Sequence, residues 1–88
     1  MDFLKPEEIR YYLDTRNNIL LAYERITDFF VMFTQEKEWK RCGITFMMFQ
    51  HDQEYETVSK ENALIITNER LPEAEFQEYL NMINQNRG

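Results

Sequence analysis

With 88 residues, 43% of them hydrophobic and 15% aromatic, the chain has material for one domain and one small core, and its two glycines and two prolines leave little room for disorder. Sixteen acids against ten bases give a net charge of −6, unevenly placed: residues 1–50 hold eight acids and seven bases, residues 51–88 eight and three. That sign argues against nucleic acid and anionic membranes as partners. The single Cys42 excludes an intramolecular disulfide, and so few glycines exclude a P-loop or a dinucleotide fingerprint.

The opening residues Met1 to Glu8 carry neither a basic n-region nor an apolar run, and no segment approaches the roughly 20 apolar residues of a membrane span. A cytoplasmic protein is expected. Pro6-Glu7-Glu8 reads as a helix start, because proline is tolerated in the first turn and carboxylates favour the positive helix end. From there Ile9, Tyr12, Leu13, Ile19, Leu20, Tyr23, Ile26, Phe30 and Phe33 follow a spacing near 3.6, which predicts a long N-terminal helix reaching about Glu36, with a weak point at Asn17-Asn18.

Unbroken, that helix would be on the order of 46 Å long, against roughly 30 Å for a domain of this size. Its apolar residues also cover more than one face. Burial of the overhang against a second copy is therefore expected, with Leu21, Phe29, Met32 and the later Met47 as self-association residues of a homodimer. Lys37, Lys40 and Arg41 around Trp39 read as cations at the negative helix end, and Gly43 as an exit residue.

Ile44 to Gln50 reads as a doubly covered strand, His51 to Glu54 as a turn, and Tyr55 to Ser59 as a second strand. Ala63 to Thr67 is consistent with a third, and Leu71-Pro72-Glu73 starts an amphipathic helix carrying Phe76, Tyr79, Leu80 and Ile83 on one face. The predicted class is α+β, in the order α-β-β-β-α: a long N-terminal helix, a small antiparallel sheet of two to three strands and a C-terminal helix, one domain over residues 1–88 with no internal repeat.

Few residues point to chemistry. Cys42 and His51 are too few for a structural zinc site, and no signature makes them nucleophile and base. Asp52, Glu54 and Glu56 fall on one strand face and could meet a hard cation, yet the turn lacks EF-hand spacing. No metal, cofactor or catalytic residue is expected, and the protein is not expected to be an enzyme.

What remains is binding. Asp52, Glu54, Glu56, Glu73, Glu75 and Glu78, together with Glu61 and Glu69, form a candidate negative surface for a basic protein partner such as a nucleic-acid enzyme. The Met and aromatic runs Phe29 to Phe33 and Phe46 to Phe49 would suit an adaptable apolar surface of a chaperone or adaptor. A dimeric DNA-binding regulator would need Arg10, Arg16, Arg25 and the Lys37 to Arg41 cluster to converge. In composition, and in no motif, the chain is similar to small accessory proteins of phages and mobile elements, many of which bind and inhibit a host protein. That likeness implies a non-enzymatic, acidic interaction module.

Overall fold

Three polar residues, Asp14, Glu24 and Thr34, stand ten residues apart, and each closes a strand and organises the loop after it. In the computed structural model, which describes residues 5–43 and 55–86, the segment read as a helix is an antiparallel meander: β1 Arg10–Asp14, β2 Ile19–Glu24, β3 Phe29–Phe33 and β4 Trp39–Arg41. A fifth strand, β5 Tyr55–Val58, joins the free edge of β1, giving the order β4-β3-β2-β1-β5. Two helices follow, α1 Lys60–Thr67 and α2 Glu73–Asn86.

The expectation of a long N-terminal helix with a two- to three-stranded sheet is overturned. Residues 5–9, read as the helix start, form no helix, and Glu8 adopts a φ of 51° just before β1. Ala63 to Thr67, read as a strand, is helical because both its ends are capped. The Ser59 hydroxyl accepts the Asn62 N–H, and left-handed Asn68 and Glu69 return their N–H groups to the Ile65 and Leu64 carbonyls at 3.3 and 2.8 Å. The strand read at Ile44 to Gln50 and the turn at His51 to Glu54 lie outside the described residues.

The loops show why the chain turns where it does. Asp14 accepts the Arg16 N–H at 3.1 Å and the Asn17 amide at 2.9 Å, and Asn18 takes the left-handed φ of 54° that leads into β2. Asp28, with φ 58°, does the same before β3. The third loop closes by Thr34 N–H to Glu38 O at 2.8 Å, with left-handed Lys37 at the position a three-residue hairpin gives to glycine. A recurring ten-residue hairpin unit thus exists in a sequence that shows no obvious repeat.

The Asn17 amide, together with the backbone N–H groups of Arg16 and Asn17 and the Arg16 guanidinium, holds the Asp14 carboxyl below its ordinary value of 3.8, against burial that pushes it up. A depressed folded-state pKa contributes stability above the carboxylate range that is lost as pH falls through the folded value. The gap in urea midpoint between the native chain and Asp14→Ala should therefore be full at neutral pH and narrow below about pH 4. A gap independent of pH would contradict this role.

Side chains alternate across the sheet. One face carries Tyr11, Leu20, Ala22, Val31 and Trp39, and against it pack Ala63 of α1 and Phe76 of α2. Small Ala22, paired with Tyr11, leaves room for the Tyr11 ring to lie 6.5 Å from that of Trp39. The other face carries Tyr12, Leu21, Tyr23, Phe30 and Met32, and Leu21 is only 2% exposed. Apolar residues on both faces are what gave β2 and β3 their unbroken hydrophobic runs.

Glu24 is the most constrained polar residue of the meander. It ends β2 fully buried, and its carboxylate accepts three backbone N–H groups: Glu7 at 2.8 Å, Ile26 at 2.9 Å and Thr27 at 2.6 Å. Arg25 N–H returns to the Glu7 carbonyl at 3.1 Å. One side chain thereby fixes both the β2–β3 loop and the segment leading into β1.

Candidate functional site

The two helices form a layer whose inner and outer stripes differ sharply. On α1, Ala63 and Thr67 face the sheet one turn apart, and the Thr67 hydroxyl donates to the Ala63 carbonyl at 2.8 Å. The outward stripe pairs Glu61 with Ile65, which is 77% exposed, and Asn62 with Ile66, which is 50% exposed. On α2, Phe76 and Leu80 are fully buried, whereas Glu78 and Met82, again one turn apart, point outward with Met82 60% exposed.

The layer is anchored at its start. Trp39 Nε1 donates to the Arg70 carbonyl at 2.6 Å, and the Arg70 guanidinium donates to the Lys37 carbonyl at 2.8 Å, so the α1–α2 connection is bound to the β3–β4 hairpin from both sides. Buried Pro72 then starts α2, its carbonyl accepting the Phe76 N–H at 3.1 Å.

The acids singled out in the sequence fall into three groups. Glu56 and Glu78 are exposed, as are Glu61 and Glu69. Glu73 and Glu75 are half-buried: Glu75 accepts the Tyr79 hydroxyl at 2.8 Å, and the Glu73 Oε2 is enclosed near the Tyr11 hydroxyl, neither atom of that pair having a hydrogen-bond partner. Asp52 and Glu54 lie outside the described residues. Sequence periodicity put Glu73, Glu75 and Glu78 on one outer face; only Glu78 is open to solvent.

With no long N-terminal helix, the helical overhang that pointed to self-association is not there. Leu21 is buried within the sheet. Phe29 is half-buried, covered by the Arg41 guanidinium 3.6 Å from its ring centre and met edge-on by Tyr79 at 5.6 Å. Met32 is half-buried on the second sheet face, and Met47 lies outside the described residues.

The cations that a nucleic-acid surface would need are engaged locally. Arg10 and Arg25 both approach Glu8, at 4.0 and 3.3 Å, Arg16 lies 3.8 Å from Asp14, and Lys40 lies 3.9 Å from Glu38. Across residues 5–43 seven bases meet seven acids, whereas residues 60–86 carry Glu61, Glu69, Glu73, Glu75 and Glu78 against Lys60 and Arg70. With Glu56 of β5 the sheet layer carries one excess acid, and the helical layer carries three.

Groups that might carry a reaction are set for structure. Burial, reinforced by the neighbouring carboxylates Glu73, Asp28 and Glu75 respectively, pushes the hydroxyls of Tyr11, Tyr23 and Tyr79 up to about 12, the reverse of what a nucleophile or base requires. The half-buried Cys42 thiol donates to the Phe30 carbonyl at 3.5 Å, and His51 lies outside the described residues. Among the described residues no group of three or more His, Cys, Asp or Glu side chains could hold a metal ion, and no helix is long and apolar enough to cross a membrane. Two open recesses of about 430 and 440 Å³ offer Arg10 and Lys60 in one and Glu38, Lys40 and Glu75 in the other, without pairing a nucleophile with a base.

No family model matches the chain, and no curated protein or solved structure matches it either.

Proposed function

We propose that this chain is a non-enzymatic protein-interaction module whose acidic helical layer engages a basic surface of another protein, such as a nucleic-acid enzyme. The observation that carries the reading is the separation of charge between layers. Acidity that served solubility alone would have no reason to leave the sheet nearly balanced and collect on the helices. A field of one sign on one side of a small domain orients an approaching partner and raises its rate of encounter. Of the acids, Glu61, Glu69 and Glu78 are exposed and without a structural task among the bonds described above, and they are the residues assigned to contact.

The test is capture of binding proteins from cell extract on the immobilised chain, with identification by mass spectrometry and association rates measured across salt. The expected partner is basic, and its association rate falls at least about tenfold between roughly 0.01 and 1 M salt, as the screening length drops from about 30 to 3 Å. A partner captured at the same rate throughout that range would favour an apolar clamp of the chaperone or adaptor kind and contradict the electrostatic reading.

A further inference from the structure

Isoleucine is a poor choice for the outside of a short helix, since its branched side chain restricts its rotamers there and its apolar surface gains nothing from water. α1 nonetheless places two side by side, Ile65 and Ile66, with 77% and 50% of their surfaces exposed, in a helix of eight residues. Their surroundings lean negative. Glu61 lies one turn before Ile65, exposed Glu69 follows the left-handed cap that ends the helix, and the last turn of α1 has no basic residue. Of the two cations near Ile65 in sequence, Arg70 is held by the Lys37 carbonyl, and exposed Lys60 stands at the opposite end of the helix.

Resting on the interaction reading above, we infer that the outward face of α1 is the docking surface itself, and that its occupant is a cationic amphipathic segment of the partner. That segment lays apolar side chains over Ile65 and Ile66 while its lysines or arginines meet Glu61 and Glu69. The complementarity is specific in chemistry: an anionic segment is repelled by both carboxylates, and a cationic segment without apolar residues leaves the isoleucines in water. The outer stripe of α2, with Glu78 and Met82, offers one exposed apolar residue and serves as the internal comparison.

The probe is a synthetic amphipathic peptide of leucine and lysine about three helical turns long, added to the isotope-labelled full chain and followed through backbone amide shifts. A leucine and glutamine peptide of the same pattern and an all-lysine peptide are the controls. The lysine and leucine peptide should perturb amides from Glu61 to Glu69 and bind at least about tenfold more tightly than either control. Ile65→Ser with Ile66→Ser, and separately Glu61→Gln with Glu69→Gln, should each weaken it about tenfold or more, whereas Met82→Ser should change it less than about twofold. All of these positions are exposed, and fluorescence of the sole tryptophan, buried Trp39, verifies that each variant is folded.

Perturbations centred on α2, with Met82→Ser as the damaging change, would overturn the assignment to α1 while leaving the acidic layer as the binding side. Equal binding of the glutamine peptide would overturn the cationic occupant. No binding of the lysine peptide by a chain that still captures a basic protein would sink this inference alone, and failure to capture any basic protein would sink the interaction reading.

Discussion

Replacing Glu24 with alanine should cost about 3–5 kcal/mol, the largest loss available from any polar residue of the meander. The carboxylate is fully buried and accepts the N–H groups of Glu7, Ile26 and Thr27. Alanine would leave three donors from two separate segments without that partner, the Thr27 N–H buried and those of Glu7 and Ile26 part-buried and open in part to water, at about 1–3 kcal/mol for a fully buried one. A chain of this length has a total stability of roughly 4–13 kcal/mol, so the substitution removes a large share of it. Glu24→Gln should also be damaging, because one of its two polar atoms becomes a donor facing a donor. Urea denaturation followed by Trp39 fluorescence reads both, and a loss under about 1 kcal/mol for the alanine variant would show that the three bonds do not hold the loop.

Phe76→Ala is expected to cost about 3–5 kcal/mol by a different route, the cavity left under α2. Phe76 is fully buried against Tyr11, Leu20, Ala22, Val31 and Trp39, so the loss falls where the helical layer meets the sheet. Thermal melting monitored by circular dichroism should show a large fall in midpoint, of several degrees for each kcal/mol lost. Met82→Ala, on the exposed side of the same helix, should stay within about 0.5 kcal/mol of the native chain. Equal effects of the two substitutions would mean that α2 does not dock through Phe76.

The meander was present in the sequence, but two regularities overlapped. A ten-residue hairpin unit places hydrophobic runs at nearly the interval of three helical turns, about 10.8 residues, so Ile19 to Tyr23 and Phe29 to Phe33 could be threaded onto one helical stripe. Strands with apolar residues on both faces give no alternation to contradict it. The discriminating signals were run length and punctuation. Each run is five or six residues, rich in aromatic and branched side chains, and is bounded by polar stretches at 14–18, 24–28 and 34–38. Asn17-Asn18, read as a weak point in a helix, is the end of the first of those loops.

Glu24 could not have been recognised from sequence, since a charge inside an apolar run ordinarily marks the solvent side. Its burial follows from what three distant or adjacent N–H groups do in the folded chain. The last helix and the short strand at Tyr55–Val58 were legible because each matches a single pattern with its own start signal. α1 was misread because Ala63 to Thr67 looks like a buried strand, while the caps that make it helical, Ser59 and Asn68, lie outside that run. That misreading hid the outward isoleucines, which are a functional clue only once the segment is helical.

Net charge and composition pointed toward binding, and the structure redistributes the residues. Glu73 and Glu75 are half-buried, whereas Glu61, Glu69 and Glu78 are exposed. Arg10, Arg16, Arg25, Lys40 and Arg41, close to a carboxylate or a ring, weaken the case for a DNA-binding regulator. These placements make the side of approach a measurable property of the molecule.

The decisive comparison is between two triple variants of equal charge change, tested for association rate against the captured partner at low salt. Glu61→Lys, Glu69→Lys and Glu78→Lys reverse the helical layer, while Glu8→Lys, Glu36→Lys and Glu38→Lys reverse exposed acids of the sheet layer and its loops. Approach through the helices predicts a rate lowered about tenfold or more by the first set and about threefold or less by the second. Equal slowing by both sets, or greater slowing by the sheet set, would mean that only overall charge matters, or that the partner arrives from the other side.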